Sequence, residues 1–395
     1  MQPKQQAASL LGYAHHRQGK RPFGIRADDR MLHAYIIGQT GTGKSTLLAN
    51  MIAQDMARQQ GLCLIDPHGD LAESLLDHLG PDGIYWDVAD AASPYGYNPL
   101  THVTAGHRPM VASGLIDALK KQWADAWGVR MEHLLRYAIL ALLEQPQADL
   151  RDIVRLFIDR KFRLETQARV TDAQTKQFWE REFPAMNYKT AIDGVAPIAN
   201  KIGAFLAHPV IRRAVTEPAE PLRFRRIMDK GQTLIVNLAK GRIGNDMANL
   251  LGGLLVASLA NAALSRHDTM ETRRRPFFLY VDEFHAFTTL SFANLLSEVR
   301  KYGLGVVLAH QYAEQAELPV QQAVFGNVGS LIAFRVGVLD APLLARQFEP
   351  LQPLDLINQK NHEAYARIMV EGHRSRVFSF AGFPPGQRFG ESSAA

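Results

Sequence analysis

The run Gly38-Gln39-Thr40-Gly41-Thr42-Gly43-Lys44-Ser45 fits the spacing G-x-x-x-x-G-K-[ST]. Glycines so placed let backbone amides curl around an anion, the lysine reaches β and γ phosphates, and the serine hydroxyl coordinates magnesium. Gly38, Thr40, Gly41, Thr42, Gly43, Lys44, Ser45 and Thr46 are the expected phosphate-binding residues, with ATP and Mg2+ as cofactors. A second acidic group stands far along the chain, where the apolar run 277–281 ends in Asp282 and Glu283. Beside a phosphate loop, Asp282 is suited to hold the metal with Ser45, and Glu283 to orient the attacking water, since phosphoryl transfer depends on positioning and charge. Capping of the next helix is the plainer reading of this pair, and the complete loop weighs against it. No Asn-Lys-x-Asp segment is present to read a guanine base.

Two further segments end apolar runs with polar groups, and a third places an arginine nearby. Asp66 closes the run 62–65 and reads equally as a group near the metal or as part of a turn shaped by Pro67 and Gly69, with Asp70 capping the helix after it. Gln311 follows the run 305–309, where it suits sensing of the γ phosphate or simple capping. Arg300 lies one helix after Glu283; on the residues alone a solvated surface arginine is the favoured reading, and a finger completing a neighbouring subunit's site is the alternative.

Placing these groups in one crevice requires strands that run in parallel, so that their C-terminal ends share an edge. The chain supplies that pattern. Short apolar runs alternate with helical spacing at 34–37, 62–65 and 84–87, and again at 233–238, 277–281, 305–309, 330–334, 364–370 and 377–381. The last two, split by 371–375, read as an antiparallel hairpin at the sheet edge. Between Pro99 and Arg226 strand signals vanish, and Leu134, Leu135, Ala138, Ile139, Leu142 and Leu143 share one helical face. The expectation is an α/β fold: a RecA-like P-loop NTPase core with a mostly parallel sheet and an inserted all-helical domain. Its divisions are an N-terminal segment 1–30, a first ATPase part 31–100, the insertion 101–226 and a second ATPase part 227–395, frayed over 390–395.

Composition narrows the class. With 395 residues, 47% of them apolar, the chain can bury a large core, and its one cysteine, Cys63, lies in an apolar run where a buried thiol is expected. The first thirty residues are polar and basic, without the apolar stretch of a signal peptide. Residues 247–264 imitate a membrane span but fall short of about 20 apolar residues and carry adjacent glycines, so a core helix is expected. The formal charge of +5 fits an anionic partner without naming one.

Together these residues resemble the FtsK/HerA superfamily of hexameric DNA motors, most closely the coupling proteins of type IV secretion in conjugation. The segments that carry the likeness are GQTGTGKS from Gly38, LIDPHGDL from Leu64, YNPL from Tyr97, FLYVDEF from Phe278, VRKYGL from Val299 and AHQ from Ala309, within about residues 31–383. The resemblance implies phosphate and metal contacts by Lys44 and Ser45, the acidic pair at Asp282 and Glu283, a sensor glutamine at Gln311 and an arginine finger at Arg300. It further implies ATP hydrolysis that moves DNA through the central channel of a homo-hexamer, with relaxase or secretion-channel proteins as partners. Anchored coupling proteins begin with transmembrane helices and this sequence shows none, so a cytoplasmic location is expected, with recruitment to the inner face of the membrane left to a partner. Arg223, Arg225, Arg226, Lys230, Arg273–Arg275, Lys120 and Lys121 are basic candidates for DNA, each also readable as a solvated face. Two other readings stand beside the DNA motor: an ATPase that translocates protein or assembles a secretion system, and a nucleotide-gated recruitment adaptor.

Overall fold

This computed structural model describes residues 8–16, 19–186, 188–216 and 218–387, and the side chains of all of these except 188–192. The expected fraying at 390–395 lies outside the described residues. Two compact units emerge: Met1–Tyr85 with Arg225–Asn237 and Arg266–Ala395, and Trp86–Phe224 with Leu238–Ser265.

The first unit is built on one mixed sheet. Its strands are β1 (Ser9–His16), β2 (Gly19–Ile25), β3 (Ala34–Ile37), β4 (Gly61–Asp66), β5 (Ile84–Asp87), β6 (Thr233–Asn237), β7 (Phe277–Val281), β8 (Leu304–His310), β9 (Ser330–Ala333), β10 (Glu363–Arg367) and β11 (Phe378–Gly382). Their order is β2-β1-β11-β10-β9-β3-β8-β7-β4-β6-β5. From β9 to β6 every pairing is parallel. Strands β3, β4, β7 and β8 are buried at every position, as continuous apolar runs must be when helices cover both faces of a parallel sheet. Within β4 the thiol of Cys63 is buried, and desolvation pushes its pKa up.

Helix α1 (Lys44–Ala57) packs Leu47, Leu48, Met51 and Ile52 into this core. Each such side chain contributes about 1.5–3 kcal/mol by leaving water. That packing anchors the start of α1 at the end of β3.

Two sequence expectations are corrected at the flank beyond β9. Strands β10 and β11 do pair antiparallel, but they do not form the edge, because β1 pairs with β11 and β2 with β1. Residues 9–16 and 19–25, within the expected N-terminal segment 1–30, are thus strands of this sheet. Their strand signal is weak because β2 is an exposed edge carrying Lys20, Arg21 and Pro22, the residues that blunt edges against further pairing.

The second unit holds helices α2 (Arg108–Gln122), α3 (Val129–Leu142) and α4 (Asn245–Leu264). The buried side of α3 includes Leu134, Leu135, Ala138, Ile139 and Leu142, which the sequence periodicity marks. A helix over Leu150–Ile158 begins with a capping box of Asp149 and Asp152. The expected boundaries of 101 and 226 shift, since this unit starts at Trp86 and takes in 238–265. The cause is α4, which packs on α2, while the Tyr97 hydroxyl shares a hydrogen bond with Ser258 of α4. Helix α4 is long and apolar enough to cross a membrane, yet 78% of its most apolar window is buried within the protein, as in a core helix.

Candidate active site

Parallel pairing gathers the chemistry. In register, Ile37 of β3 sits opposite His310 of β8 and Ala333 of β9, and Val281 of β7 lies opposite Ile65 of β4 and Leu308 of β8. The residues that follow these strands therefore emerge on one edge: the loop 38–43, Asp66, Asp282 with Glu283, Gln311, and Arg335.

The loop's glycines are required by its packing. Gly43 has φ +123°, a conformation that strains any side chain, and a Cβ there would approach the Phe334 ring to 2.9 Å. At Gly38 a Cβ would come within 2.6 Å of the Phe334 Cβ. Behind Gly43, the amides of Lys44, Ser45 and Thr46 open α1, where backbone donors lack intrahelical acceptors and the dipole favours an anion. Lys44 Nζ donates to Gly38 O at 2.6 Å and to Gln39 O at 3.1 Å. Burial pulls the pKa of this ammonium down, while Asp282 and Glu283 pull it up. A further clamp comes from the chain before β10, where the His362 amide donates to Thr42 O at 2.7 Å.

Glu283 adopts the left-handed region at φ 48°, a conformation that costs a non-glycine residue about 1–3 kcal/mol. Its side chain does not cap the following turn. Instead Glu283 Oε1 accepts from Gln311 Nε2 at 2.8 Å, and Gln311 Oε1 accepts from Thr40 Oγ1 at 2.9 Å. One glutamine thus joins the phosphate loop to the carboxylate suited to activate water. His285 Nδ1 lies 3.5 Å from Glu283 Oε2. Beneath them His310 is fully buried, its Nε2 paired with the Tyr35 hydroxyl. Burial, then His285 and Lys44, hold His310 well below its ordinary pKa and keep it neutral.

Asp282 is disfavoured as a carboxylate. Burial raises its pKa, joined by repulsion from Glu283 and Asp66, and pushes it up to about 7. A divalent cation relieves such crowding, so Asp282 with the exposed Ser45 hydroxyl fits Mg2+, an ion that keeps several waters and takes few protein ligands. Asp66 has a different task. Its carboxylate accepts from His68 N and Ala72 N, both at 2.9 Å, so Asp66 caps the next helix and Asp70 does not.

The Asp282 shift has a testable sign. The folded chain binds this proton more tightly than the unfolded one, which releases it near 3.8. Stability from the protonated form is full below that value and is lost as pH rises through about 7. Without nucleotide, Asp282→Asn should melt several degrees above the parent chain at pH 8 and nearly with it at pH 4. Thermal denaturation at both pH values checks this; an equal or lower melting temperature at pH 8 would refute it.

Arg300 is not brought to this edge. It is exposed and opens a short turn, Arg300–Tyr302, just before β8. Seven residues of β8 put about 20 Å between Arg300 and Gln311. Among the basic candidates for DNA, Arg225 pairs with Asp229 and Asp268, Lys120 with Glu132, and Arg274 and Arg275 donate to backbone carbonyls.

Comparison with known proteins agrees with this architecture. No curated protein matches the chain. Among solved structures, the plasmid coupling protein TrwB in complex with the non-hydrolysable ATP analogue ADPNP superposes with a TM-score of 0.69 at 18% identity, over 92% of this chain and 89% of that one. TrwB in complex with ADP and Mg2+ gives 0.66 at 16% identity, over 94% and 90%. VirB4 of Thermoanaerobacter pseudethanolicus gives 0.67 at 13% identity, over 97% and 98%. These likenesses establish a shared RecA-like fold. The family described as "Helicase HerA, central domain" matches residues 15–239, more than half of the sequence. By that match and this fold, the chain belongs to the HerA helicase central-domain family, within the FtsK/HerA superfamily of P-loop NTPases.

Proposed function

We propose that this protein is an ATP-hydrolysing DNA motor that works as a hexameric ring, serving conjugative transfer through a type IV secretion system. The observation that carries the hydrolytic part is the Thr40–Gln311–Glu283 bridge. It ties the state of the phosphate loop to the position of the carboxylate that must orient water. Bound ATP would be held by the loop amides and Lys44, and Mg2+, carried by Ser45 and Asp282, would supply charge neutralisation at the phosphates. Glu283 orients and polarises the attacking water. Gln311 senses the γ phosphate, because any displacement of Thr40 is passed to Glu283 through it. Arg300, on the far side of the sheet, acts on a neighbouring subunit's phosphates. The TrwB complexes with ADPNP and with ADP and Mg2+ support the nucleotide and metal assignment by analogy of fold. Family membership and the likeness to a conjugative coupling protein support the DNA assignment.

The test is ATPase turnover titrated with single- and double-stranded DNA, read beside particle mass with and without nucleotide. DNA is expected to raise turnover, and mass to shift to the hexamer. Turnover indifferent to DNA would reject the DNA motor in favour of a secretion-system or assembly ATPase, and slow turnover under all conditions would favour a gated adaptor.

A further inference from the structure

The parallel strand β9 ends beside the phosphate loop, and the residue two places beyond it is a cation the mechanism above does not use. Arg335 O accepts from Gln39 N at 2.9 Å, and Arg335 Nε lies 3.4 Å from Gln39 Oε1. These contacts hold the arginine against the loop's second residue. The neighbouring Thr40 is the residue that Gln311 joins to Glu283, so the Gln39–Thr40 stretch is the part of the loop hydrogen-bonded through Gln311 to the hydrolytic carboxylate. In any P-loop ATPase that is the end where the terminal phosphate must lie.

Among the described residues Arg335 forms no ion pair, and the acidic group closest in sequence, Asp340, is engaged by the Ala313 amide at 2.9 Å. The half-buried Arg335 thus retains guanidinium donors for an anion. The charge balance calls for one. Asp282 and Glu283 place two carboxylates against the single ammonium of Lys44, which already shares its protons with Gly38 O and Gln39 O. A magnesium-bound triphosphate adds further net negative charge.

We propose that Arg335 contacts the terminal phosphate of ATP from within the same chain, distinguishing triphosphate from diphosphate. The assignment rests on the nucleotide reading above and extends it to a residue that carries no motif. A planar guanidinium suits this task because it grips phosphate oxygens through two donors at once.

Binding, not turnover, tests it. Calorimetry on the full chain would measure affinity for ADPNP and for ADP, each with Mg2+. Arg335→Ala should weaken ADPNP about 10- to 100-fold, the range of a charge-assisted hydrogen bond, and ADP by less than about threefold. Arg335→Gln keeps the stem and a donor at the Nε position for Gln39 while removing the guanidinium, and should show the same selective loss, which secures a readout if the alanine variant fails to fold. If ADP and ADPNP weaken together, or if Arg335→Gln binds ADPNP as the parent does, Arg335 merely props the loop and the proposal falls. A parent chain that binds neither nucleotide would sink the underlying reading, and this assignment with it.

Discussion

Glu283→Gln should bind ADPNP as tightly as the parent chain and yet lose turnover by about 10²- to 10⁴-fold, the contribution of a positioned general base. The substitution is chosen for what it preserves. A glutamine at this position still offers an oxygen to Gln311 Nε2, which now donates to Glu283 Oε1 at 2.8 Å, so the link to Thr40 survives. What disappears is the negative charge proposed to polarise water. Calorimetry with ADPNP and single-turnover hydrolysis of ATP read the two effects separately. Near-parent hydrolysis would remove Glu283 from its role and leave the Gln311 bridge as a structural contact.

The core of this site was legible because each part carries its own signal. Gly38, Gly43, Lys44 and Ser45 stand at fixed spacing between a buried strand and an amphipathic helix, and Asp282 and Glu283 end a strand buried at every position. Short continuous apolar runs alternating with helical segments read as parallel strands, and parallel strands share one C-terminal edge, so proximity follows from pattern alone. Arg335 and His362 carry no such signal. Their approach to the loop depends on β9 lying next to β3 and on the chain turning into β10, facts of strand order that spacing does not encode. The same holds for Asp66, where only the folded chain shows both oxygens occupied by His68 and Ala72 amides. Strands β1 and β2 were missed for a different reason: β2 is an exposed edge, and the pairing that ties β1 into the sheet is with β11, more than three hundred residues away.

Arg300→Ala is expected to lower turnover by about 10³- to 10⁵-fold, the contribution of an arginine finger, and to regain activity when mixed with Lys44→Ala chains. The basis is distance. Arg300 precedes β8 while Gln311 follows it, so the arginine cannot serve the site of its own chain, and its exposed guanidinium is free to enter a neighbour's. In a head-to-tail ring a site is competent when its own chain keeps Lys44 and its neighbour keeps Arg300. Random equimolar mixing of the two variants leaves roughly a quarter of the subunit junctions in that arrangement, so mixed rings should recover a comparable share of turnover although each variant alone is inactive. Arg335→Ala gives the contrasting case, because Arg335 and Lys44 belong to one site: every junction in an Arg335→Ala and Lys44→Ala mixture is defective, and no recovery should appear. Mixed rings of Arg300→Ala that stay silent would confine Arg300 to the solvated surface and leave the completing charge to come from elsewhere at the junction.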